Sequence, residues 1–374
     1  MRSPLRLTEI TGRATQLPTR FPAAGSRCYR VRSTLPYRTH LFAPLPRHEH
    51  FLRTASSSSS LSSLSTNRGG PNLSRDTTPH AAILPPTRRA LTMSPAPPAA
   101  SAQEQARLVE ESKRLAAYQA VKDHLHPDYT RIGIGSGSTV VYVVEAIAAL
   151  GPAATSGMLF YPTGAQSEEL IEVAGLRLQT INKLPAGAQL DVAFDGADEV
   201  DEALNLIKGG GACLWQEKIV ATSAKKFVCV ADFRKLSKRL GTSWTKGIPI
   251  EVLPMAANRV LAELRRMGAP DARIRPGLPG KAGAIVTDNG MWIIDAPFPP
   301  LRLPTDEDGQ GGGEAGIWTV DALADRLIKL PGVAEIGLFY GQNGLQAQNG
   351  GAQKPVAAYF GMADGSVKVE TAPS

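Results

Sequence analysis

Apolar positions recur at three- and four-residue spacings across residues 103–125, through Leu108, Leu115, Ala116 and residues 118–121, and predict an amphipathic helix. Arg131-Ile-Gly-Ile-Gly-Ser-Gly-Ser-Thr139 then reads as a strand running into a glycine turn, and residues 140–150 as an apolar helix. Residues 158–161 and 177–180 read as further strands, separated by a helix over 165–174. Residues 190–194 form a strand that delivers Asp195 at its C-terminal end, 212–223 a helix, and 226–231 a buried strand. Strands alternating with helices predict an α/β fold, a Rossmann-like parallel sheet with helices on both faces.

Beyond Gly247 the texture changes. Residues 255–267 are helical, 284–287 and 291–295 read as strands joined by Asp288-Asn289-Gly290, and 320–330 as another helix. This predicts a smaller α+β domain. Two Gly-rich stretches, 309–316 and 341–351, read as surface loops. The expected organisation is a leader over 1–100, an α/β catalytic domain over 101–246 joined by the C-terminal 356–374, and the α+β domain over 247–355.

Composition then separates the leader from the rest. Residues 1–100 are rich in Ser, Arg, Pro and Thr, cannot bury a core, and read as disordered. Being Arg- and Ser-rich and poor in acids, they resemble an organelle transit peptide; Met93 offers the competing reading, a second start with an upstream extension that is trimmed or unused. The formal charge of +7 is concentrated there: residues 1–92 hold 14 Arg, no Lys and 3 acids. Subtracting them from the totals leaves 27 basic and 31 acidic residues, so the folded part is mildly acidic and no nucleic-acid partner is expected. No apolar run approaches the roughly 20 residues of a membrane span.

Cys28, Cys213 and Cys229 are an odd, widely spaced set, which argues against a disulfide framework or a zinc site and fits a reducing compartment such as the cytoplasm. Of six His, four lie in the leader, leaving His124 and His126 in a His-Leu-His-Pro stretch that reads as a helix end. The chemistry therefore falls to carboxylates, lysines and hydroxyls. Cys213 reads as a small core residue, since no His stands ready to activate it.

Three motifs carry that chemistry. Gly133-Ile-Gly-Ser-Gly-Ser-Thr139 sits between a strand and a helix, where backbone N–H groups and hydroxyls make an anion site; its spacing is not the Gly-x-Gly-x-x-Gly of dinucleotide binding. A plain tight turn is the bland alternative. Asp195-Gly-Ala-Asp198 lies past the end of a strand, the edge where open α/β sheets place ligands, although four acids within 195–201 also suit a solvated turn. Lys208-Gly-Gly-Gly-Ala-Cys-Leu-Trp-Gln-Glu217 sets a cation and a carboxylate around three consecutive glycines. Lys208 and Glu217 would serve equally as exposed helix residues, but three glycines cost roughly 1 kcal/mol each in regular structure, which close backbone approach to a ligand would explain.

These motifs, with Ala-Asp-Phe-Arg-Lys235, Lys246-Gly-Ile-Pro-Ile-Glu-Val-Leu-Pro-Met255 and Val286-Thr-Asp-Asn-Gly290, resemble ribose-5-phosphate isomerase, type A, in the wording of its eukaryotic members. The resemblance runs from about Ala106 to the C-terminus and leaves out residues 1–100 and the two Gly-rich stretches. It implies interconversion of ribose 5-phosphate and ribulose 5-phosphate through a cis-enediolate, without metal or cofactor. It implies Glu217 as the base, Lys208 with Gly209, Gly210 and Gly211 around the enediolate oxygen, and Asp195 and Asp198 handling hydroxyl protons. Ser136, Gly137, Ser138 and Thr139 would grip the phosphate, helped by Lys235 and Lys113, with Gly196 and Ala197 lining the sugar. Ser136 stands where many bacterial members have Thr. A homodimer or homotetramer is implied as well.

Two other functions fit parts of the pattern. A CoA transferase would use Glu217 as a nucleophile but leaves the Asp195/Asp198 pair and the hydroxyl loop unexplained. A sugar-phosphate sensor would have no need of Glu217.

Overall fold

The computed structural model describes residues 101–306, 311–347 and 350–372. The leader reading of residues 1–100 lies outside them. All described residues belong to one compact unit, Leu91–Ser374.

Helix α1 (Ala102–His124) opens the described chain, with the Ser101 hydroxyl accepting from the Glu104 amide at its N-terminus. Strand β1 (Arg131–Ile134), α2 (Val140–Ala148), the single turn α3 (Pro152–Thr155), β2 (Leu159–Pro162) and α4 (Ala165–Val173) follow. Then come β3 (Val192–Asp195), β4 (Glu199–Val200), β5 (Leu206–Ile207), α5 (Leu214–Thr222) and β6 (Phe227–Asp232). The second half comprises β7 (Ile248–Val252), α6 (Ala257–Arg266), β8 (Arg273–Ile274), β9 (Trp292–Ala296), α7 (Val320–Leu327), β10 (Val333–Ile336), β11 (Leu338–Phe339), β12 (Ala357–Gly361) and β13 (Val367–Thr371).

The main sheet runs in the order β13-β12-β6-β3-β1-β2, parallel throughout except for the antiparallel edge strand β13. One face is covered by α1, α2 and α4, through Ala116, Ala120, Val143, Ile147 and Ile171 packed on Ile132, Ile134, Phe194 and Val230. The other is covered by α5, whose Val220 and Ala221 pack on Ala193, Phe227 and Ala231. Each such large apolar side chain contributes about 1.5–3 kcal/mol on full burial, which is why the strands read as continuous apolar runs. The chain winds outward in both directions from β1, to β2 on one side and to β3 and β6 on the other. That reversal opens a crevice at the C-terminal ends of β1 and β3.

A second, antiparallel sheet, β10-β7-β9-β8, carries its own core of Ile250, Val252, Val260, Leu264, Ile294, Leu323 and Leu327 beneath α6 and α7. A three-stranded ribbon, β11-β5-β4, completes the strands.

Several local expectations need correction. Residues 177–180 make only a single parallel bridge, Phe160 to Leu178, because the chain beyond turns into a short 3-10 segment at Ile181–Lys183. Residues 284–287 pair only through Ala284 to Pro276, and Val286 is exposed, so β9 has no hairpin partner there. The described parts of the Gly-rich stretches, 311–316, 341–347 and 350–351, lie largely at the surface with local anchors, and 309–310 and 348–349 lie outside the described residues. Asn343 is buried and its carboxamide accepts from the Leu345 and Gln346 amides, while Gly313 packs under Trp318.

Candidate active site

The crevice holds a cavity of about 300 Å³ whose walls include Lys113, residues 136–139, Gly196, Ala197, Asp198, residues 208–211, Glu217 and Lys235. Apart from Asp195, which stands behind Lys208, every site residue expected from the sequence reaches this wall. Gln166, Cys213, Asp232 and Arg234 line it too.

Asp195 ends β3 and is almost completely buried. Its Oδ1 accepts from the Ser136 amide at 3.1 Å and the Gly196 amide at 2.7 Å, and its Oδ2 faces Lys208 Nζ at 2.9 Å. The approach of the two loops is so close that a Cβ on Gly135 would lie 2.0 Å from Asp195 Oδ1, so only glycine fits there. Burial pushes the Asp195 carboxyl up to about 7, opposed by the Lys208 charge and reinforced by that of Glu217.

Lys208 follows β5 and is buried as well. Its ammonium donates to the Gly196 carbonyl at 2.5 Å, pairs with Asp195, and faces Glu217 Oε2 at 3.4 Å. Burial works against this cation, but the Asp195 and Glu217 carboxylates outweigh it and hold its pKa above the ordinary lysine range. Lys208 therefore stays charged at neutral pH.

The glycine turn after Lys208 bends through Gly209 at φ +101°. The Gly210 amide donates to Asp198 Oδ2 at 2.7 Å. Burial holds Asp198 above the ordinary aspartate range, with the Gly210 amide pulling the other way. From outside, Arg275 grips the same turn: its Nη1 donates to the Gly209 and Gly210 carbonyls at 3.0 and 3.1 Å, while Asp295 of β9 holds its Nε and Nη2 at 2.9 and 2.6 Å. With those two carbonyls turned to Arg275, the turn's amide side faces Asp198.

Glu217 stands one turn into α5, with 7 % of its side chain exposed. Its Oε1 accepts from the Ser136 hydroxyl at 2.9 Å, and that hydroxyl lies 3.0 Å from Thr163 Oγ1. Its Oε2 is buried with no hydrogen bond among the described residues. The next residue, Lys218, points away into the protein, where its Nζ donates to the Leu338 carbonyl at 2.5 Å and to Gln353 Oε1 at 3.0 Å, and pairs with Glu335 at 3.4 Å.

The opposite wall suits an anion. Ser138 and Thr139 sit at the N-terminus of α2, where backbone N–H groups lack helical partners. Lys113 of α1 meets Glu110 at 2.6 Å, and Arg234 is held by both Asp232 oxygens at 2.7 and 3.1 Å. Lys235 lies 5.4 Å from the centre of the Trp244 ring. Behind this rim, the buried Glu199 accepts from Ser237 Oγ, and from the Gly241, Thr242 and Ser243 amides at 2.6, 3.0 and 2.6 Å, and so fixes the loop that carries Trp244.

Besides Asp232 and Arg234, sequence reasoning missed four groups here. Gln166 Oε1 accepts from the Gly137 amide at 2.8 Å, Thr163 contacts Ser136, and Arg275 with Asp295 braces the glycine turn. All lie outside the charged motifs, and nothing in their local spacing singles them out. Cys213 is a correction rather than an omission. It stands half-buried at the cavity wall, where burial and then the Glu217 and Asp288 charges push its thiol up to about 11, so it is protonated at neutral pH. His124 and His126 lie away from the cavity, against Tyr359 and Tyr129. Among the described residues no three His, Cys, Asp or Glu side chains are grouped as metal ligands, and no helix is long and apolar enough to cross a membrane.

Comparison with known proteins places this geometry. The family described as ribose 5-phosphate isomerase A (phosphoriboisomerase A) matches residues 159–345. The chain is 47 % identical over 264 residues to the ribose-5-phosphate isomerase of Mycosarcoma maydis, covering 71 % of this chain and 82 % of that one. Over 262 residues it is 47 % identical to the Candida albicans ribose-5-phosphate isomerase, covering 70 % and 96 %. Among solved structures it is similar to ribose 5-phosphate isomerase A of Methanocaldococcus jannaschii, with 32 % identity, 69 % and 97 % coverage and a TM-score of 0.54. It is similar also to a D-ribose-5-phosphate isomerase in complex with phospho-erythronic acid, with 33 % identity, 70 % and 99 % coverage and a TM-score of 0.57. The chain belongs to the ribose 5-phosphate isomerase A family.

Proposed function

We propose that this chain interconverts D-ribose 5-phosphate and D-ribulose 5-phosphate, with Glu217 moving a proton between C1 and C2. The observation that carries the residue assignment is the state of the Glu217 carboxylate. One oxygen is fixed by Ser136, while the other is buried, without a hydrogen bond, and 3.4 Å from a lysine that is itself held by Asp195. A buried carboxylate oxygen without a hydrogen bond from the described residues, beside a fixed cation, suits abstraction of a carbon-bound proton.

In the open-chain aldose, Glu217 Oε2 takes the C2 proton. The electrons of the C–H bond form the C1–C2 double bond, and the carbonyl pair moves onto O1. The resulting cis-enediolate places its charge where the Lys208 ammonium and the glycine turn can meet it. Glu217 then returns the proton to C1, the O2 hydroxyl proton leaves to form the C2 carbonyl, and O1 is protonated. Asp198 lines the cavity and suits the hydroxyl transfers, including the one that opens the furanose ring. Asp195 has both oxygens engaged and suits the task of holding Lys208 in place. The phosphate would sit against Ser138, Thr139 and the α2 N-terminus, with Lys113, Arg234 and Lys235 around it.

The experiment is a coupled assay of ketose formation from ribose 5-phosphate, run with and without EDTA. Turnover under these conditions is expected; no turnover overturns the activity, and turnover abolished by EDTA overturns the cofactor-free mechanism. Two further expectations follow, one from the family resemblance and one from the cysteine usage and the composition of residues 1–100. Assembly into a homodimer or homotetramer is checked by sedimentation velocity. Residence in the cytoplasm, with organelle import through residues 1–100 as the alternative, is checked by fractionation and N-terminal sequencing.

A further inference from the structure

Ser136 belongs to the loop expected to grip the phosphate, yet its hydroxyl is turned the other way. Oγ lies 2.9 Å from Glu217 Oε1 and 3.0 Å from Thr163 Oγ1. A serine hydroxyl has one proton to give. If that proton goes to the carboxylate, the contact with Thr163 must be filled by the Thr163 proton. The order is then Thr163 to Ser136 to Glu217 Oε1.

Thr163 is well placed to hold this direction. It directly follows β2, is 1 % exposed, and its amide donates to the Ile134 carbonyl at 3.0 Å and to Ser167 Oγ at 3.1 Å. Among the described residues its hydroxyl has no hydrogen-bond partner besides Ser136. The reverse order would put a proton on Glu217 Oε1, pass the Ser136 proton to Thr163, and leave the Thr163 proton buried without an acceptor. Buried unsatisfied donors are disfavoured, which favours the order Thr163 to Ser136 to Glu217, with Cys213 beside Ser136 as the other side chain that its hydroxyl meets.

We infer that Thr163 is a positioning residue for the general base: through Ser136 it reserves Glu217 Oε1 as an acceptor, so that the substrate proton is taken up and returned only on Oε2. The carboxylate is thereby held in one rotation and one polarity through the cycle. The inference rests on the reading of Glu217 as the base. The other ionisable groups facing this carboxylate are Lys208 after β5, Asp195 at the end of β3, Asp198 beyond it, and Cys213 before α5.

The test compares Thr163→Val, Thr163→Ser and Glu217→Gln in full pH profiles of kcat and KM. Thr163→Val keeps the shape and removes the proton. It should lower kcat about tenfold, the scale of one lost hydrogen bond, with KM for ribose 5-phosphate unchanged. It should also move the acid limb of kcat/KM to higher pH, because Ser136, no longer supplied by a donor, becomes free to accept from a protonated Glu217 Oε1. Thr163→Ser, which keeps the hydroxyl, should restore both. In a Ser136→Ala background Thr163→Val should have no further effect on kcat, a comparison that also serves if the single valine variant folds poorly. Wild-type kcat and pH profile in Thr163→Val would overturn the inference. So would a Thr163→Ser enzyme as impaired as Thr163→Val, or an undiminished valine effect without Ser136. A fully active Glu217→Gln enzyme would instead overturn the base assignment itself.

Discussion

Replacing Arg275 by Met should separate what holds the glycine turn together from what the turn does. The substitution keeps a long apolar stem and removes every donor. Asp295, with 7 % of its side chain exposed, then loses its two-pronged partner. Breaking a buried ion pair from one side costs about 3–5 kcal/mol, because the remaining charge is left uncompensated. The Gly209 and Gly210 carbonyls also lose a charged donor, at about 1.5–3 kcal/mol for each hydrogen bond. These losses share one side chain and do not add, so a fall of roughly 4 kcal/mol in unfolding free energy is expected. The double variant Arg275→Met with Asp295→Leu removes the stranded charge, and its stability in urea should recover by about 3 kcal/mol. Its kcat should not recover. Without Arg275 the turn can tilt, and the Gly210 amide at Asp198 and the peptide after Lys208 tilt with it. A kcat lowered about tenfold or more in both variants, against stability lowered chiefly in the single one, is the expected pattern. If the double variant regains wild-type kcat, or the single one never loses it, the turn holds its own shape and Arg275 acts only on stability.

Glu217→Gln should lower kcat by about 10² or more with little change in KM, as expected for a lost general base. Lys235→Met should do the reverse, raising KM for ribose 5-phosphate about tenfold at nearly constant kcat, and a KM left unchanged would remove Lys235 from the phosphate rim. Glu199→Gln presents an amide N–H₂ to a site that holds four donors, so urea midpoints should fall by an amount worth about 2–4 kcal/mol. Lys218 is pushed down to about 8 by burial, against the Glu335 charge. Between about pH 8 and the ordinary lysine range the unfolded chain holds a proton that the folded chain has released, so this group makes stability rise with pH. Measured against Lys218→Met, unfolding free energy should climb across that window, and parallel pH curves for the two proteins would refute the assignment.

Much of the fold was legible because its apolar periods are long. The β1 turn α2 unit and the strand that ends in Asp195 each have a buried run followed by glycine or acid, and their ends differ from expectation by at most two residues. The short bridges at Leu178 and Ala284 were over-read as strands, since a few apolar residues cannot announce whether a neighbour will pair with them. In the site, the charged motifs declared themselves because Lys208, Glu217, Asp195 and Asp198 stand beside glycines whose cost needs a reason. Thr163, Gln166 and Arg275 did not. Their work is done across gaps of 27, 29 and 66 residues, to Ser136, Gly137 and Gly209, and only the fold brings those pairs together. Ser136 shows the limit of motif reading most plainly. Its place in the hydroxyl loop suggested phosphate, while its rotamer turns it toward Glu217.

The adjacent residues Glu217 and Lys218 set a mechanical condition on the chemistry. Successive residues on a helix point about 100° apart, so the Glu217 carboxylate and the anchored Lys218 ammonium are two spokes of one wheel. Turning α5 about its axis by 10° would sweep the carboxylate sideways by about 1 Å at a radius of roughly 6 Å. It would also pull Lys218 off the Leu338 carbonyl, Gln353 and Glu335 together. The side chain that faces away from the cavity therefore sets the azimuth of the one that lines it. The ribbon carrying Leu338 acts as the stop against which that angle is kept.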